Sequence, residues 1–299
     1  MRILITGGAG FIGSHIAEYH QGQADVRVLD NLSTGYRQNL EGFNVDFVEG
    51  SIMDQALLHD VMEGVDYVYH LAAMVSVPDS VEKPAECMDV NIKGTLNVLQ
   101  AAEAADVNKV AFSSSAAVYG EREENPKHEE LSPDPRSPYA VSKLSGEQLC
   151  HMFSASGRIS TVCLRYFNVF GPRQDPNSDY AAAVPAFMTR AKQGQDLVVF
   201  GDGFQTRDFI HVDDVVQANV HASREADLTG VFNVASGRSI TINELAETIL
   251  RVSASNSSIQ HAPERPGDVR YSEGAVDKLS ATGFTPTVAL EEGLRQFVS

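Results

Sequence analysis

Tyr139 stands four residues before Lys143 in the run Ser137-Pro138-Tyr139-Ala140-Val141-Ser142-Lys143. Pro138 suits the first turn of an α-helix and Ser137 suits its cap, so the run predicts a helix start. Positions i and i+4 share one helical face, which puts a phenol and an ammonium side by side. Two readings follow. One is a surface aromatic next to a snorkelling lysine; the other is a tyrosine acting as acid and base. A second run, Lys109–Gly120 (KVAFSSSAAVYG), ends an apolar strand in three hydroxyls, Ser113, Ser114 and Ser115. A free phenol titrates near about 10, and neighbouring positive charge favours the phenolate. With Ser115 gripping the same substrate hydroxyl, Tyr139 becomes a base at neutral pH.

The third chemical feature is Thr6-Gly7-Gly8-Ala9-Gly10-Phe11-Ile12-Gly13, which follows an apolar strand and opens a helical pattern. Glycines at 7, 10 and 13 allow a tight turn, close approach of backbone to a pyrophosphate, and close packing of helix on strand. Asp30 closes the next strand, 17 residues beyond Gly13. A carboxylate there accepts both ribose hydroxyls and repels a 2′-phosphate, so the expected cofactor is NAD rather than NADP. Arg37, in the loop that follows, reads as a solvated charge.

Strands and helices must bring these three stretches together. Strand-like runs occupy Ile3–Thr6, Val26–Leu29, Val45–Val48, Tyr67–His70, Val110–Ser113 and Thr161–Tyr166. Helical patterns occupy Phe11–His20, Gln55–Glu63 and Asn91–Ala105, with a further helix from Pro138. This alternation predicts an α/β fold, a doubly wound parallel sheet of the Rossmann kind with the ligand crevice at the carboxyl ends of the strands. After Phe170 the texture turns irregular and rich in Gly and Pro. We therefore expect a dinucleotide-binding domain over 1–166 and a smaller α/β substrate domain over 167–299, with some chain returning to the first.

The formal net charge of −17 over 299 residues would repel nucleic acid and anionic membranes, so neither is expected as a partner. Cys87, Cys150 and Cys163 form no CxxC pair and read as reduced, buried thiols of a cytoplasmic protein. The histidines show no ligand spacing, so no metal is expected. The chain opens directly on Met1-Arg2-Ile3, so no signal peptide is expected, and it has no apolar run long enough to span a bilayer.

Taken in order, TGGAGFIG, DNLSTG at Asp30–Gly35, HLAA at His70–Ala73, SSSAAVYG and the YxxxK of Tyr139–Lys143 resemble the extended short-chain dehydrogenase/reductase family over essentially the whole chain. Within it, the sequence is most similar to NAD-dependent UDP-sugar 4-epimerases, which implies Ser115, Tyr139 and Lys143 as the catalytic set. The resemblance implies cofactor contacts at Gly7, Gly10, Phe11, Ile12 and Gly13, and along Asp30, Asn31, Ser33, Thr34 and Gly35. It extends them to Leu71, Ala72, Ala73, Asn91, Ser113 and Tyr166, beside Tyr139 and Lys143. Where the family often has Gly-Asp, this chain has Gly50-Ser51, leaving Ser51 and the backbone of Ile52 as the expected adenine contacts. On the substrate side the resemblance implies Ser76, Ser115, Tyr139, Asn168, Val184, Phe200, Arg207, Arg265, Asp268 and Ser272. Two arginines on a diphosphate suit the bidentate fork of the guanidinium.

Family dehydratases usually carry an acidic pair where this chain has Ala116 and Ala117, which argues against dehydration. The readings left open are a UDP-hexose or UDP-N-acetylhexosamine 4-epimerase, another nucleotide-sugar enzyme of the family (a decarboxylase, a reductase or a UDP-uronate 4-epimerase), and a non-catalytic NAD sensor. The intact Ser-Tyr-Lys set counts against the sensor. The resemblance also implies a homodimer built on the helices Asn91–Ala105 and Tyr139–Phe153. Ser272, where many epimerases carry a bulky tyrosine, leaves room for an acetamido group and implies N-acetylated substrates.

Overall fold

The computed structural model describes residues 1–175, 182–264 and 269–297. The chain divides into two compact units, one made of 1–120, 132–166 and 216–232 and the other of 121–131, 167–215 and 233–299. Tyr166 closes a segment of the first unit. The chain returns to that unit at 216–232, and 121–131 belongs to the second.

The first unit is built on a seven-stranded sheet. Its strands are β1 (Arg2–Thr6), β2 (Asp25–Asp30), β3 (Asp46–Glu49), β4 (Tyr67–His70), β5 (Lys109–Ser115), β6 (Ser160–Tyr166) and β7 (Gly230–Val234), in the spatial order β7-β6-β5-β4-β1-β2-β3. β1 through β6 pair in parallel. The order reverses at β1, between β2 and β4, which is where a doubly wound sheet opens its crevice. Leu4, Leu58, Val98 and Leu99 are fully buried in its core; each contributes roughly 1.5–3 kcal/mol relative to exposure.

The helices Phe11–His20 and Pro138–Ala155 start where the sequence places them. The pattern read as one helix over Asn91–Ala105 is instead a π-turn, Asp89–Lys93, running into the helix Gly94–Ala104. The π-turn brings Asn91 inside, where it is buried.

Lys109 opens β5 yet is buried. Its ammonium donates to the carbonyls of Ala222 and Leu228 at 3.3 and 3.1 Å and to that of Glu225, satisfying a helix end that water would otherwise solvate.

The second unit centres on the strand Thr206–His211. Ser239–Thr241 pairs with it antiparallel; Tyr271–Ser272 and Asn168–Phe170 pair with it in parallel. Leu197, Val199, Leu245 and Ile249 lie in its apolar core.

Candidate active site

Ser137 is extended, and its hydroxyl accepts the Ala140 N–H at 3.1 Å, capping the helix Pro138–Ala155. Pro138 has no N–H to satisfy. The next orphan donor, the Tyr139 N–H, goes to Ser80 Oγ at 3.1 Å, from the helix Val77–Glu82. Tyr139 and Lys143 share a face, as their spacing requires, with the Lys143 ammonium 5.7 Å from the Tyr139 ring centroid. That ammonium donates to the Ser113 carbonyl at 2.7 Å. Ser115 lies near enough to the Tyr139 hydroxyl to favour its ionised form. Ser115 Oγ accepts the Ala117 N–H at 3.1 Å, as the cap of the short 3-10 turn Ala116–Tyr119. Serine, phenol and ammonium thus meet at the carboxyl end of β5.

Burial raises the Tyr139 phenol above its ordinary value, and the nearby Ser115 offsets part of that. Burial also lowers the Lys143 ammonium to about 8. Desolvation is the largest influence on both groups.

The Asn91 carboxamide clamps the chain beside this set. It accepts the Met74 N–H at 2.7 Å and donates to the Met74 carbonyl at 3.0 Å and to Ser142 Oγ at 2.9 Å. Ser142 Oγ in turn donates to the Tyr139 carbonyl at 2.7 Å. Asn91 therefore holds the loop at Met74 against the helix that carries Tyr139. Ser76 follows in that loop and caps the helix Val77–Glu82 by accepting the Asp79 N–H. Tyr166 is the register partner of Ser115 on β6. Its hydroxyl donates to Asn219 Oδ1 at 2.9 Å.

The residues around Gly7–Gly13 fit a dinucleotide. A Cβ on Gly7, whose φ is +71°, would lie 2.7 Å from the Ala72 nitrogen, and one on Gly13 would lie 2.3 Å from the Gly7 oxygen. Glycine alone lets the loop pass this close to the Leu71–Ala73 strand end. Gly10 caps the helix Phe11–His20 with no side-chain bond, so the first-turn N–H groups, Phe11 and Ile12 among them, face outward for an anion. Asp30 closes β2 with a buried carboxylate that accepts the Ala9 N–H at 2.9 Å and the Leu32 N–H at 2.8 Å. Burial raises its titration and the two N–H bonds lower it.

Asn31, Ser33 and Thr34 are exposed and Gly35 is buried, its successor Tyr36 bonded through N–H to the Ala9 carbonyl at 3.0 Å. Ser51 Oγ accepts the Met53 N–H at 3.2 Å, and the Ile52 carbonyl accepts the Asn97 amide at 3.1 Å, so these expected adenine contacts are partly committed within the fold. The exposed Arg37 stacks its guanidinium 4.7 Å from the Phe47 ring centroid.

In the second unit, the strand Thr206–His211 gathers three of the expected substrate residues. Arg207 pairs in register with Ser272, and Asn168 donates its amide to the Asp208 carbonyl at 3.0 Å. Val184 is buried in the helix Ala183–Lys192, and half-buried Phe200 ends the strand Leu197–Phe200. Arg265 and Asp268 lie outside the described residues.

Several organising residues carry no motif and escape sequence reasoning. Asp208 is fully buried. Its carboxylate accepts from Ser236 N–H and Oγ at 2.7 Å each, Gly237 N–H at 3.0 Å and Gly274 N–H at 3.2 Å. Asp202 and Arg270 pair bidentately, at 2.8 and 3.1 Å, beside a recess lined also by Gly201, Gln205 and Glu264. In the first unit, Arg165 and Glu147 form a buried ion pair. The available signal was a charge inside an apolar run, as in TVCLRYF for Arg165.

Known proteins resemble this arrangement along its whole length. The family model described as NAD dependent epimerase/dehydratase family matches residues 3–235. The solved UDP-N-acetylglucosamine 4-epimerase of Methanobrevibacter ruminantium, in complex with UDP-N-acetylmuramic acid, is 42% identical; the match covers 99% of this chain and 96% of that one with a TM-score of 0.96. The Thermus thermophilus UDP-glucose 4-epimerase, in complex with NAD, is 38% identical over 100% of this chain and 98% of its own, with a TM-score of 0.92. Activities diverge among relatives. A UDP-N-acetyl-alpha-D-glucosaminuronate decarboxylase from Bacillus cytotoxicus is 36% identical, covering 99% of this chain and 96% of its own.

Proposed function

The chain belongs to the NAD-dependent epimerase/dehydratase family, and from that membership we propose that it is a UDP-sugar 4-epimerase. We propose further that it interconverts UDP-N-acetylglucosamine with UDP-N-acetylgalactosamine, alongside UDP-glucose with UDP-galactose. The observation that carries the reading is Ser115 beside the Tyr139 hydroxyl, with Lys143 on the same helical face fixed on the Ser113 carbonyl. This set moves one proton and carries no second acid, since Ala116 and Ala117 follow Ser115. A 4,6-dehydration needs an additional acid and base at C5 and C6; an epimerisation at C4 does not. The match to the Methanobrevibacter ruminantium enzyme supports the acetylated substrate.

When bound, NAD supplies a reversible hydride acceptor at C4 and a positive ring charge that favours the Tyr139 phenolate. This chain's own residues do the rest. Tyr139 takes the proton of the 4-hydroxyl, Ser115 orients that hydroxyl, and Tyr139 returns the proton after the 4-keto sugar has turned about its diphosphate. Lys143 holds its position through Ser113 and reaches for the nicotinamide ribose. Gly7, Gly10 and Gly13 admit the pyrophosphate, and Asp30 accepts from the adenosine ribose. Asn168 and Arg207 hold the sugar-nucleotide diphosphate, joined by Arg265; Asp268 and Phe200 meet the uridine; Ser76, Val184 and Ser272 face the sugar.

The same reading makes the protein a cytoplasmic homodimer. Among the described residues no helix is long and apolar enough to cross a membrane. Val141 and Met152 are exposed on the helix Pro138–Ala155, as a helix-to-helix interface would need. Light scattering at micromolar concentration should give twice the mass of the 32.4 kDa chain, and a monomer would remove the dimer.

The deciding experiment incubates the purified protein with UDP-glucose, UDP-galactose, their N-acetylated counterparts and UDP-uronates, and resolves the products. Interconversion at C4 is expected. Carbon dioxide release from a uronate, or a 4-keto-6-deoxy product, would replace the epimerase with another member of the family.

A further inference from the structure

We propose that the buried cluster Ser114–Glu147–Arg165 is a positioning device that fixes Ser115 against Tyr139; the proposal rests on the acid/base reading above. Glu147 Oε1 accepts from Ser114 Oγ at 2.5 Å and from Arg165 Nε at 2.8 Å, and Oε2 accepts from the other arm of the guanidinium at 2.7 Å. The guanidinium stacks 4.7 Å from the Tyr119 ring centroid. The side chains of Arg165 and Glu147 are 4% and 2% exposed.

These residues come from separate segments. Ser114 lies in β5 and Arg165 is its register partner in β6. Tyr119 ends the 3-10 turn capped by Ser115. Glu147 is on the helix Pro138–Ala155, four residues beyond Lys143 and eight beyond Tyr139, so all three share one helical face. The cluster therefore joins the residue before Ser115 to the helix that carries Tyr139.

Its energetics point to direction rather than strength. A buried ion pair returns little net stability, because desolvation offsets the Coulombic gain, and apolar residues of similar volume often replace such pairs without loss. What apolar residues lack is geometry. A bidentate fork accepts one orientation of carboxylate and guanidinium, and the third bond passes that orientation to Ser114. Proton transfer at the neighbouring Ser115–Tyr139 pair is sensitive to displacements of about 1 Å, which cost on the order of 10²-fold in rate.

The test is the triple variant Ser114→Ala, Glu147→Leu, Arg165→Met in the full chain. It is assayed on the UDP-sugar that the parent converts, with melting temperature and NAD binding measured in parallel. The expected result is parental melting within a few degrees, parental NAD binding, KM within about twofold, and kcat lower by about tenfold or more. A folded triple variant with parental kcat overturns the proposal, as does a kcat loss that merely tracks a loss of melting temperature. Should the triple variant not fold, Ser114→Ala alone decides. It removes one hydroxyl and keeps the ion pair, and it should lower kcat about threefold or more at unchanged melting temperature; parental kcat there overturns the proposal. Tyr139→Phe separates the two readings. If it retains turnover, the acid/base assignment fails. If it is inactive while the cluster variant is fully active, only the positioning role fails.

Discussion

Asp30 and Asp208 are both buried carboxylates at strand positions, one in each unit, and their environments differ in an instructive way. Burial pushes both titrations up, and hydrogen bonds pull both back. An ionised carboxylate offers about four acceptor sites. Asp208 fills that number, with two donors from Ser236, one from Gly237 and one from Gly274. Asp30 receives the Ala9 and Leu32 N–H groups. The saturated group organises its surroundings: its own backbone carbonyl holds Asn168, and its donors fix the turn at Ser236 and the chain just after Ser272. The group with spare capacity is the one proposed to meet the cofactor ribose. Buried polar residues can thus be sorted by what they leave unspent, and the sorting can be broken by mutation.

The largest effect belongs to a group on the unspent side. The Tyr139 hydroxyl, beside Ser115, has hydrogen-bonding capacity for a substrate hydroxyl. Tyr139→Phe should lower turnover by roughly 10³-fold or more, removing both the base and its alignment. Melting temperature and NAD binding should stay near those of the parent. A phenylalanine variant with near-native turnover would end the assignment.

Next in size is Asp208→Asn. The asparagine keeps one acceptor but turns an NH₂ toward two backbone N–H groups, which should cost roughly 2–5 kcal/mol of stability. Denaturant unfolding measures it. Asp30→Asn should destabilise far less, by about 1 kcal/mol, yet weaken NAD binding about tenfold or more as a charge-assisted acceptor is lost. Equal destabilisation by the two substitutions, or parental NAD affinity in the Asp30 variant, would abolish the distinction between spent and unspent carboxylates.

The contrast also marks what could be read from the chain alone. Residues with spare capacity announce themselves through spacing. The glycines at 7, 10 and 13, the strand-end Asp30 and the Tyr139–Lys143 interval are dictated by local geometry, so they were legible, as was the parallel sheet that presents them. Saturated residues depend on partners distant in sequence. Ser114 and Glu147 are 33 residues apart, and Asp208 and Gly274 are 66 apart; nothing local signals such a pairing. The π-turn at Asp89–Lys93 escaped for the same reason, since the Asn91 carboxamide that fits into it is held by Met74 and Ser142. Burial, which raises the Tyr139 phenol, is likewise a tertiary property that spacing does not show.

Two buried histidines extend the same logic to pH. His70 bonds Thr6 Oγ1 through Nδ1 at 2.7 Å and Thr95 Oγ1 through Nε2 at 3.0 Å. Thr95 spends its own proton on the Asn91 carbonyl at 2.6 Å, so Nε2 carries the hydrogen and Nδ1 accepts. His70 is thus fully engaged as a neutral ring, and burial and then Lys143 lower it to about 3. His20, bonded to the Tyr69 hydroxyl at 3.0 Å, is lowered to about 4 by burial and then Arg224. Unfolded histidine takes its proton near about 6.5. Below that value the unfolded chain binds protons that the folded chain refuses, so stability falls as pH falls, until about 4 for His20 and about 3 for His70. Each group contributes up to about 1.4 kcal/mol per pH unit in its window. Melting temperatures at pH 7 and 4.5 should show the decline, and His20→Gln should flatten it. An unchanged slope in that variant would mean that His20 is not among the groups responsible.

The narrowest effect is expected at Ser272, in the unit that Asp208 organises. Ser272 pairs in register with Arg207 on the neighbouring strand, while Tyr271 before it is 50% exposed. The two side chains of a strand pair such as Tyr271-Ser272 point to opposite faces. The bulk of Tyr271 is thus turned from the face that Ser272 shares with Arg207, and a small hydroxymethyl group stands beside the arginine proposed to hold the diphosphate. A 4-keto sugar that turns about its diphosphate sweeps its C2 substituent through a wider arc when that substituent is acetamido than when it is hydroxyl. Ser272→Tyr adds an aromatic ring to that space without removing any bond in which Asp208 takes part. Melting temperature, NAD binding and interconversion of UDP-glucose with UDP-galactose should remain near parental values. Interconversion of the N-acetylated pair should fall by about tenfold or more, the scale set when bulk displaces a bound group by about 1 Å. Comparing kcat/KM on both sugar pairs checks it. A tyrosine variant that handles both pairs as the parent does, or a parent that converts only the plain hexoses, would remove Ser272 as the determinant of substrate size.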